Sequence, residues 1–101
     1  MKRYYTEYVR HCLRFFIKTL DEGHTPRFKT PVDKSNWLCC HTVISALDPQ
    51  TIETVKTLYR SGDTLADKIY HISYTEGISQ DYLWSLVNEI ERKIAKKRGL
   101  L

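Results

Sequence analysis

Apolar residues recur at steps of three and four along most of this 101-residue chain, which constrains the fold more than any other feature. The clearest stretch lies near the C-terminus, and its apolar positions are Leu83, Leu86 or Val87, Ile90 and Ile94. No stretch alternates apolar and polar residues for long, as a half-buried strand would. The pattern therefore predicts an all-α domain of about five helices.

The length favours a single domain over residues 1–101. Within it we expect an N-terminal amphipathic helix over 1–20, a proline-containing loop over 21–32 and a helical core over 33–101. The tyrosine-rich first helix suits either a place in the core or pairing with a second copy of the chain, and the sequence leaves both open. The apolar stripe of this helix consists of Tyr5, Tyr8 or Val9, Cys12, Phe16 and Leu20.

Capping residues predict where the later helices begin. We expect Asp33 to cap the second helix and Asp48 to cap the third, with Pro49 at its first position. Thr64 is the expected cap of the fourth helix. The side chains that we expect to be mostly buried are Trp37, Ile44, Leu47, Ile52, Val55, Leu65, Ile69, Leu83, Leu86 and Ile90.

Charge is distributed unevenly along a chain whose net charge is +4. Residues 1–34 carry eight basic and four acidic side chains, residues 35–91 carry three basic and eight acidic, and residues 92–101 carry five basic and none acidic. A polyanion would therefore meet the two ends rather than the middle. A basic last turn also suits the helix dipole, so the C-terminal cations have a structural explanation too.

No motif of a catalytic site stands out. The sequence has no nucleophile elbow, no phosphate-binding glycine loop and no HExxH pattern. Glu89 and Glu91 lie among basic residues, and we expect both to be solvated. We therefore expect a protein that is not an enzyme and that needs no cofactor.

The cysteines and the N-terminal residues bear on metal binding and on the cellular compartment of the protein. Cys12, Cys39 and Cys40 form an odd set with an adjacent pair, which fits neither a disulfide framework nor a zinc signature. We expect free thiols and no bound metal. Arg14 interrupts the only candidate for the apolar part of a signal peptide, so we expect a cytoplasmic protein that does not enter a membrane.

Two helices joined by a short turn are predicted over about 64–97. Gly77 can adopt the left-handed conformation that ends one helix, and Ser79 can cap the next, which would span about 80–97. This is the layout of a helix-turn-helix, although an ordinary antiparallel helical hairpin has the same pattern.

The order of motifs over residues 48–101 is more specific. It runs through Asp48-Pro49 to Tyr59, Thr64-Leu65 with Ile69, Gly77-Ile78-Ser79, then Leu83, Leu86, Ile90 and Ile94, and ends in IERKIAKKRGLL. In this order the residues resemble the fourth region of bacterial sigma factors, which contacts the −35 promoter element. Short sigma-like proteins with an unrelated N-terminal helix are known as transcription regulators of phages and mobile elements in Gram-positive bacteria, and this chain looks like one of them. At the start of the recognition helix, where the family usually has arginines, this chain has Gln80, Tyr82 and Trp84.

The resemblance implies a DNA-binding transcription regulator whose helix over 80–97 contacts duplex DNA, with RNA polymerase as a further partner. Residues at the turn and along the helix would contact or flank bases, namely Ser79, Gln80, Asp81, Trp84, Ser85 and Asn88. Residues at the basic end would contact phosphates, namely Arg92, Lys93, Lys96, Lys97 and Arg98.

A second hypothesis is a helical protein-interaction module without DNA binding, for example one that docks on RNA polymerase. The acidic middle of the chain favours it, and so does an abundance of tyrosine, because aromatic residues beyond those a core needs are typical of interfaces. The tyrosines are Tyr4, Tyr5, Tyr8, Tyr59, Tyr70, Tyr74 and Tyr82.

Overall fold

The computed structural model describes residues 4–23, 26–60 and 62–100. These residues form five α-helices and no strand, which confirms the predicted all-α fold. The helices are α1 (Thr6–Glu22), α2 (Pro31–Ser45), α3 (Pro49–Tyr59), α4 (Leu65–Glu76) and α5 (Gln80–Lys97). None of these helices is both long enough and apolar enough to cross a membrane.

Local capping signals place most helix starts correctly. The Asp48 side chain accepts a hydrogen bond from the backbone N–H of Thr51 at 3.1 Å, and Pro49 is the first residue of α3. Thr64 likewise accepts from the backbone N–H of Asp67 at 3.2 Å and caps α4. Both predicted caps are confirmed, so the starts of these two helices are determined within a few residues of sequence.

The predicted start of α2 is wrong. Thr30 rather than Asp33 is the cap, and its hydroxyl accepts from the backbone N–H of Asp33 at 3.1 Å. Pro31 then occupies the first helical position, where its fixed φ and missing N–H cost nothing. The predicted loop over 21–32 is also shorter, because α1 continues to Glu22 before Gly23; residues 24–25 of that loop lie outside the described residues.

Helices α1 and α5 organise the core, because each contacts three other helices: α1 packs on α2, α3 and α5, and α5 packs on α1, α2 and α4. Leu13 and Ile17 of α1 are fully buried although the predicted stripe omitted them, whereas Tyr8 is exposed. A helix packed on several sides buries a wider arc than one stripe of the sequence pattern indicates. Tyr5, by contrast, belongs to the core.

Six of the ten side chains expected in the core are buried, namely Ile44, Val55, Leu65, Ile69, Leu83 and Ile90. The other four are half-buried and pack against the core, namely Trp37, Leu47, Ile52 and Leu86. Leu86 and Val87 are adjacent on α5, and of the two Val87 is fully buried whereas Leu86 is half-buried. The helix is thus rotated so that Leu86 lies at the border of its buried face.

The expectation that Glu91 is solvated is wrong. Its side chain is only 4% exposed and lies among α1, α3 and α5. The Tyr59 hydroxyl donates to Glu91 Oε2 at 2.7 Å, and Arg10 Nε donates to the same oxygen at 2.8 Å. A buried carboxylate needs such partners, because an uncompensated charge in the interior is strongly unfavourable. Burial and the neighbouring carboxylate raise the pKa of the Tyr59 phenol well above its usual value.

The three cysteines are free thiols at the α1–α2 interface region, with Cys12 and Cys40 buried and Cys39 half-buried. Burial raises the pKa of the Cys12 thiol to about 11, an increase that the positive charge of Arg98 partly offsets. Burial also raises the pKa of Cys40. Since the thiolate is the nucleophile and the metal ligand, both of these residues behave as inert core side chains at neutral pH.

Truncating Leu83 and Leu86 in turn should distinguish the buried face of α5 from the border of that face. We expect Leu83→Ala to lower the free energy of unfolding by about 3 kcal/mol, because it leaves a cavity beneath a fully buried position. Leu86→Ala at the half-buried border should cost clearly less. Urea denaturation of both variants measures the difference, and equal costs would show that the rotation of α5 is not as described.

Neutralising the buried carboxylate should be far more harmful than neutralising its exposed neighbour. We expect Glu91→Gln to lower the free energy of unfolding by about 3 kcal/mol, because Arg10 loses its buried counter-charge. The matched control is Glu89→Gln, whose carboxylate is exposed and paired with Lys93, and it should change stability by less than about 0.5 kcal/mol. Thermal and urea unfolding measure both; a similar small effect for the two variants would contradict the buried cluster.

Candidate nucleic-acid interface

A three-residue turn connects α4 to α5. Gly77 has a φ of 69°, and its backbone N–H donates to the Ser73 carbonyl at 3.0 Å, which ends α4. Ile78 is half-buried and packs against the core. The Ser79 hydroxyl accepts from the backbone N–H of Tyr82 at 3.4 Å and caps α5. The predicted turn and the predicted bounds of the last helix, 80–97, are therefore confirmed.

The polar residues of α5 predicted to contact bases lie on its outer face. Asp81, Ser85, Asn88 and Arg92 follow one another at steps of four, three and four, and all four are exposed. The opposite side of the same helix is buried through Leu83, Val87, Ile90 and Ile94. None of the four outer side chains contributes a described hydrogen bond or ion pair to the fold, so this face is free to contact a partner.

The remaining predicted base-contacting residues flank this face at the start of α5. Ser79 and Gln80 are exposed. Trp84 is half-buried and packs against the core, so its ring belongs partly to the fold and only partly to the surface. The structure thus places all six predicted residues in the turn and the first half of α5, with Trp84 at the border of the outer face.

The C-terminal half of α5 carries a basic surface. Arg92, Lys93, Lys96 and Lys97 are all exposed. Lys93 Nζ lies 3.0 Å from Glu89 Oε1, so its charge is partly neutralised. Arg92, Lys96 and Lys97 have no ion-pair partner among the described residues, which leaves three cations available to an anionic ligand.

Arg98 differs from the other four basic residues. It is half-buried, and its Nε donates to Asn36 Oδ1 on α2. Asn36 Nδ2 in turn donates to the Tyr8 hydroxyl on α1 at 2.8 Å. The Arg98 side chain thus connects the end of α5 to two other helices. No local signal in the sequence marks this contact, because its residues are far apart along the chain.

The surface near the start of α5 is acidic. Two exposed carboxylates flank the turn, namely Glu76 at the end of α4 and Asp81 in the first turn of α5, whereas Asp63 and Asp67 lie at the opposite end of α4. Asp81 and Asp67 each lie in the first turn of a helix, where a carboxylate is favoured by the helix dipole. The interface region is therefore polarised, with negative charge at the start of α5 and positive charge at its end.

Three exposed tyrosines lie on the same two helices. Tyr70 and Tyr74 are one turn apart on α4 and are 63% and 82% exposed, and Tyr82 in the first turn of α5 is 55% exposed. Folding does not account for three such rings at the surface. Their hydroxyl groups can hydrogen-bond phosphates, and their rings can contact a protein partner.

Within residues 4–23, 26–60 and 62–100, no three His, Cys, Asp or Glu residues lie close enough together to hold a metal ion. Every buried polar side-chain atom of the described residues has a hydrogen-bond partner.

Comparison of the chain with family models, with curated proteins and with solved structures gave no match.

Proposed function

We propose that this protein is a DNA-binding transcription regulator of the phage or mobile-element type. It would use α4 and α5 as a sigma-like helix-turn-helix and contact duplex DNA through the outer face of α5. The observation that carries the proposal is this face itself: it is polar, exposed and not used by the fold, and it follows a short capped turn. A helix with these properties fits the major groove.

The outer face offers the groups that base edges require. Ser85 and Asn88 can each donate and accept hydrogen bonds, and Asp81 can accept one from the amino group of cytosine. Ser79 and Gln80 flank them at the start of the helix. Such contacts carry sequence preference, whereas contacts to phosphates do not.

The basic end of α5 would supply the phosphate contacts. Arg92, Lys96 and Lys97 are exposed and unpaired among the described residues, and Lys93 can exchange its exposed contact with Glu89 for a phosphate. Arg98 contributes less in this proposal, because its Nε is already bonded to Asn36. These cations offset the acidic start of the helix, at which Asp81 repels the DNA backbone.

A regulator of this kind would act in the cytoplasm without a cofactor and without catalysis. The sigma-like order of motifs over residues 48–101 supports a −35 promoter element as the class of DNA target and RNA polymerase as a further partner. Pairing with a second copy of the chain would place two such helices on one site.

One observation favours a second candidate function, a protein-docking module that does not bind DNA. Tyr70, Tyr74 and Tyr82 are exposed, each has an acidic residue within three positions of it in sequence, and tyrosine is enriched at protein interfaces. The partner of such a surface would be basic, because the residues around these rings carry negative charge. RNA polymerase is the partner class that the sigma-like motifs suggest.

Duplex binding at several salt concentrations tests the first proposal. We expect the unmodified protein to bind a random duplex at low salt, with an affinity that falls steeply as salt is added. Replacing Lys96 and Lys97 with Ala should lower the slope of log K against log salt by about two units, because each phosphate contact contributes about 0.9. Ser85→Ala or Asn88→Ala should reduce discrimination between a selected and a scrambled site by about 1–3 kcal/mol, with non-specific binding retained.

Asp81→Ala is a control with the opposite expected effect on affinity. It removes a negative charge from the same face, so it should raise non-specific affinity while selectivity falls. If the unmodified protein has no measurable affinity for any duplex at low salt, the DNA-binding proposal is wrong, and protein docking becomes the better account.

A further inference from the structure

The last turn of α5 carries two of the cations proposed to contact phosphates, Lys96 and Lys97. The last carbonyls of a helix have no partner within the helix, so a helix end frays unless other contacts hold it. Two such contacts are present here, one made by the backbone after the helix and one made by the side chain of Arg98. Together they determine how well the two lysines are placed.

The backbone contact is a glycine turn that closes the end of α5. Gly99 has a φ of 77°, and its backbone N–H donates to the Lys96 carbonyl at 3.1 Å. The backbone N–H of Leu100 donates to the Ala95 carbonyl at 2.8 Å, so the turn is a Schellman motif. These two hydrogen bonds lie within residues 95–100. They therefore fix the shape of the turn, but not its position relative to the other helices.

The side chain of Arg98 connects the same turn to two other helices. Its Nε donates to Oδ1 of Asn36 on α2, and Nδ2 of Asn36 donates to the Tyr8 hydroxyl on α1 at 2.8 Å. Both ends of the Asn36 amide are thus hydrogen-bonded, so its orientation is set by α1 and by the end of α5 together. Arg98 and Asn36 are half-buried, so water competes less for this contact than for an exposed one.

We propose that Arg98, Asn36 and Tyr8 act together as positioning residues for the phosphate-contacting end of α5. This inference rests on the proposed function. Arg98 in this role is an anchor of the helix end and not itself a phosphate contact. A helix end that is already ordered loses less conformational entropy when it binds. Without the anchor, Lys96 and Lys97 would stay charged and exposed, but they would be less well placed for a phosphate backbone.

Asn36→Leu tests the anchor without changing the charge of the protein. It removes the acceptor of Arg98 and keeps a side chain of similar size. We expect affinity for a random duplex at low salt to fall by about tenfold, and amide hydrogen exchange at Lys96 and Lys97 to become faster. The matched control is Ser35→Ala, which removes a half-buried polar group beside Asn36 on α2 and should cause neither change. Thermal unfolding checks that both variants are folded.

Asn36→Asp separates an anchor from a direct phosphate contact. It keeps an acceptor for Arg98, so it should bind duplex more tightly than Asn36→Leu even though it adds a negative charge. If Arg98 itself contacted phosphate, the new carboxylate would hold its guanidinium back, because charge-assisted hydrogen bonds are the stronger ones. Asn36→Asp would then be the weaker binder of the two, which would overturn the proposal.

Tyr8→Phe takes the place of Asn36→Leu if that variant does not fold. It removes only the hydroxyl that orients Asn36, and it should produce the same two changes at a smaller size. Affinity equal to that of the control, while Lys96→Ala/Lys97→Ala lowers the salt slope, overturns the anchor and leaves the proposed function standing. An unmodified protein without duplex affinity overturns both.

Discussion

The buried carboxylate of Glu91 sets the orientation of the helix on which the functional account depends. Its Oε2 accepts hydrogen bonds from Arg10 of α1 and from Tyr59 of α3, so three helices must be in place before this charge is compensated. Glu91 therefore fixes the rotation of α5 about its axis, so that the side of the helix that carries Glu91 faces the core. The outer face, which includes Asn88 and Arg92, is exposed because Glu91 and its apolar neighbours face the core.

Features that depend on a few neighbouring residues could be predicted from the sequence. The caps at Asp48, Thr64 and Ser79 are local, and the helices that they start were predicted correctly. Near Pro31 the prediction named Asp33 as the cap and was wrong, because Thr30 caps the helix and Pro31 takes its first position. Leu86 and Val87 were equivalent in the periodic pattern too, and only packing against other helices determines which of such a pair is buried.

Features that depend on distant residues could not be predicted. Glu91 resembles a solvated residue of a basic helix, but its partners lie 81 and 32 positions away in sequence. Arg98 was likewise predicted to be one of the exposed cations of the basic end. In the structure it is half-buried and donates a hydrogen bond to Asn36, which lies 62 positions away in sequence. The outer face of α5, by contrast, followed from periodicity, because all of its residues lie on one helix.

The central claim, that the outer face of α5 meets duplex DNA, is tested most directly by mapping backbone amide signals by NMR during titration with a duplex at low salt. The account predicts the largest shift changes along α5, at Ser85, Asn88 and Arg92, while amides of the buried core change little. Saturating duplex that leaves the amides of α5 unchanged would contradict it.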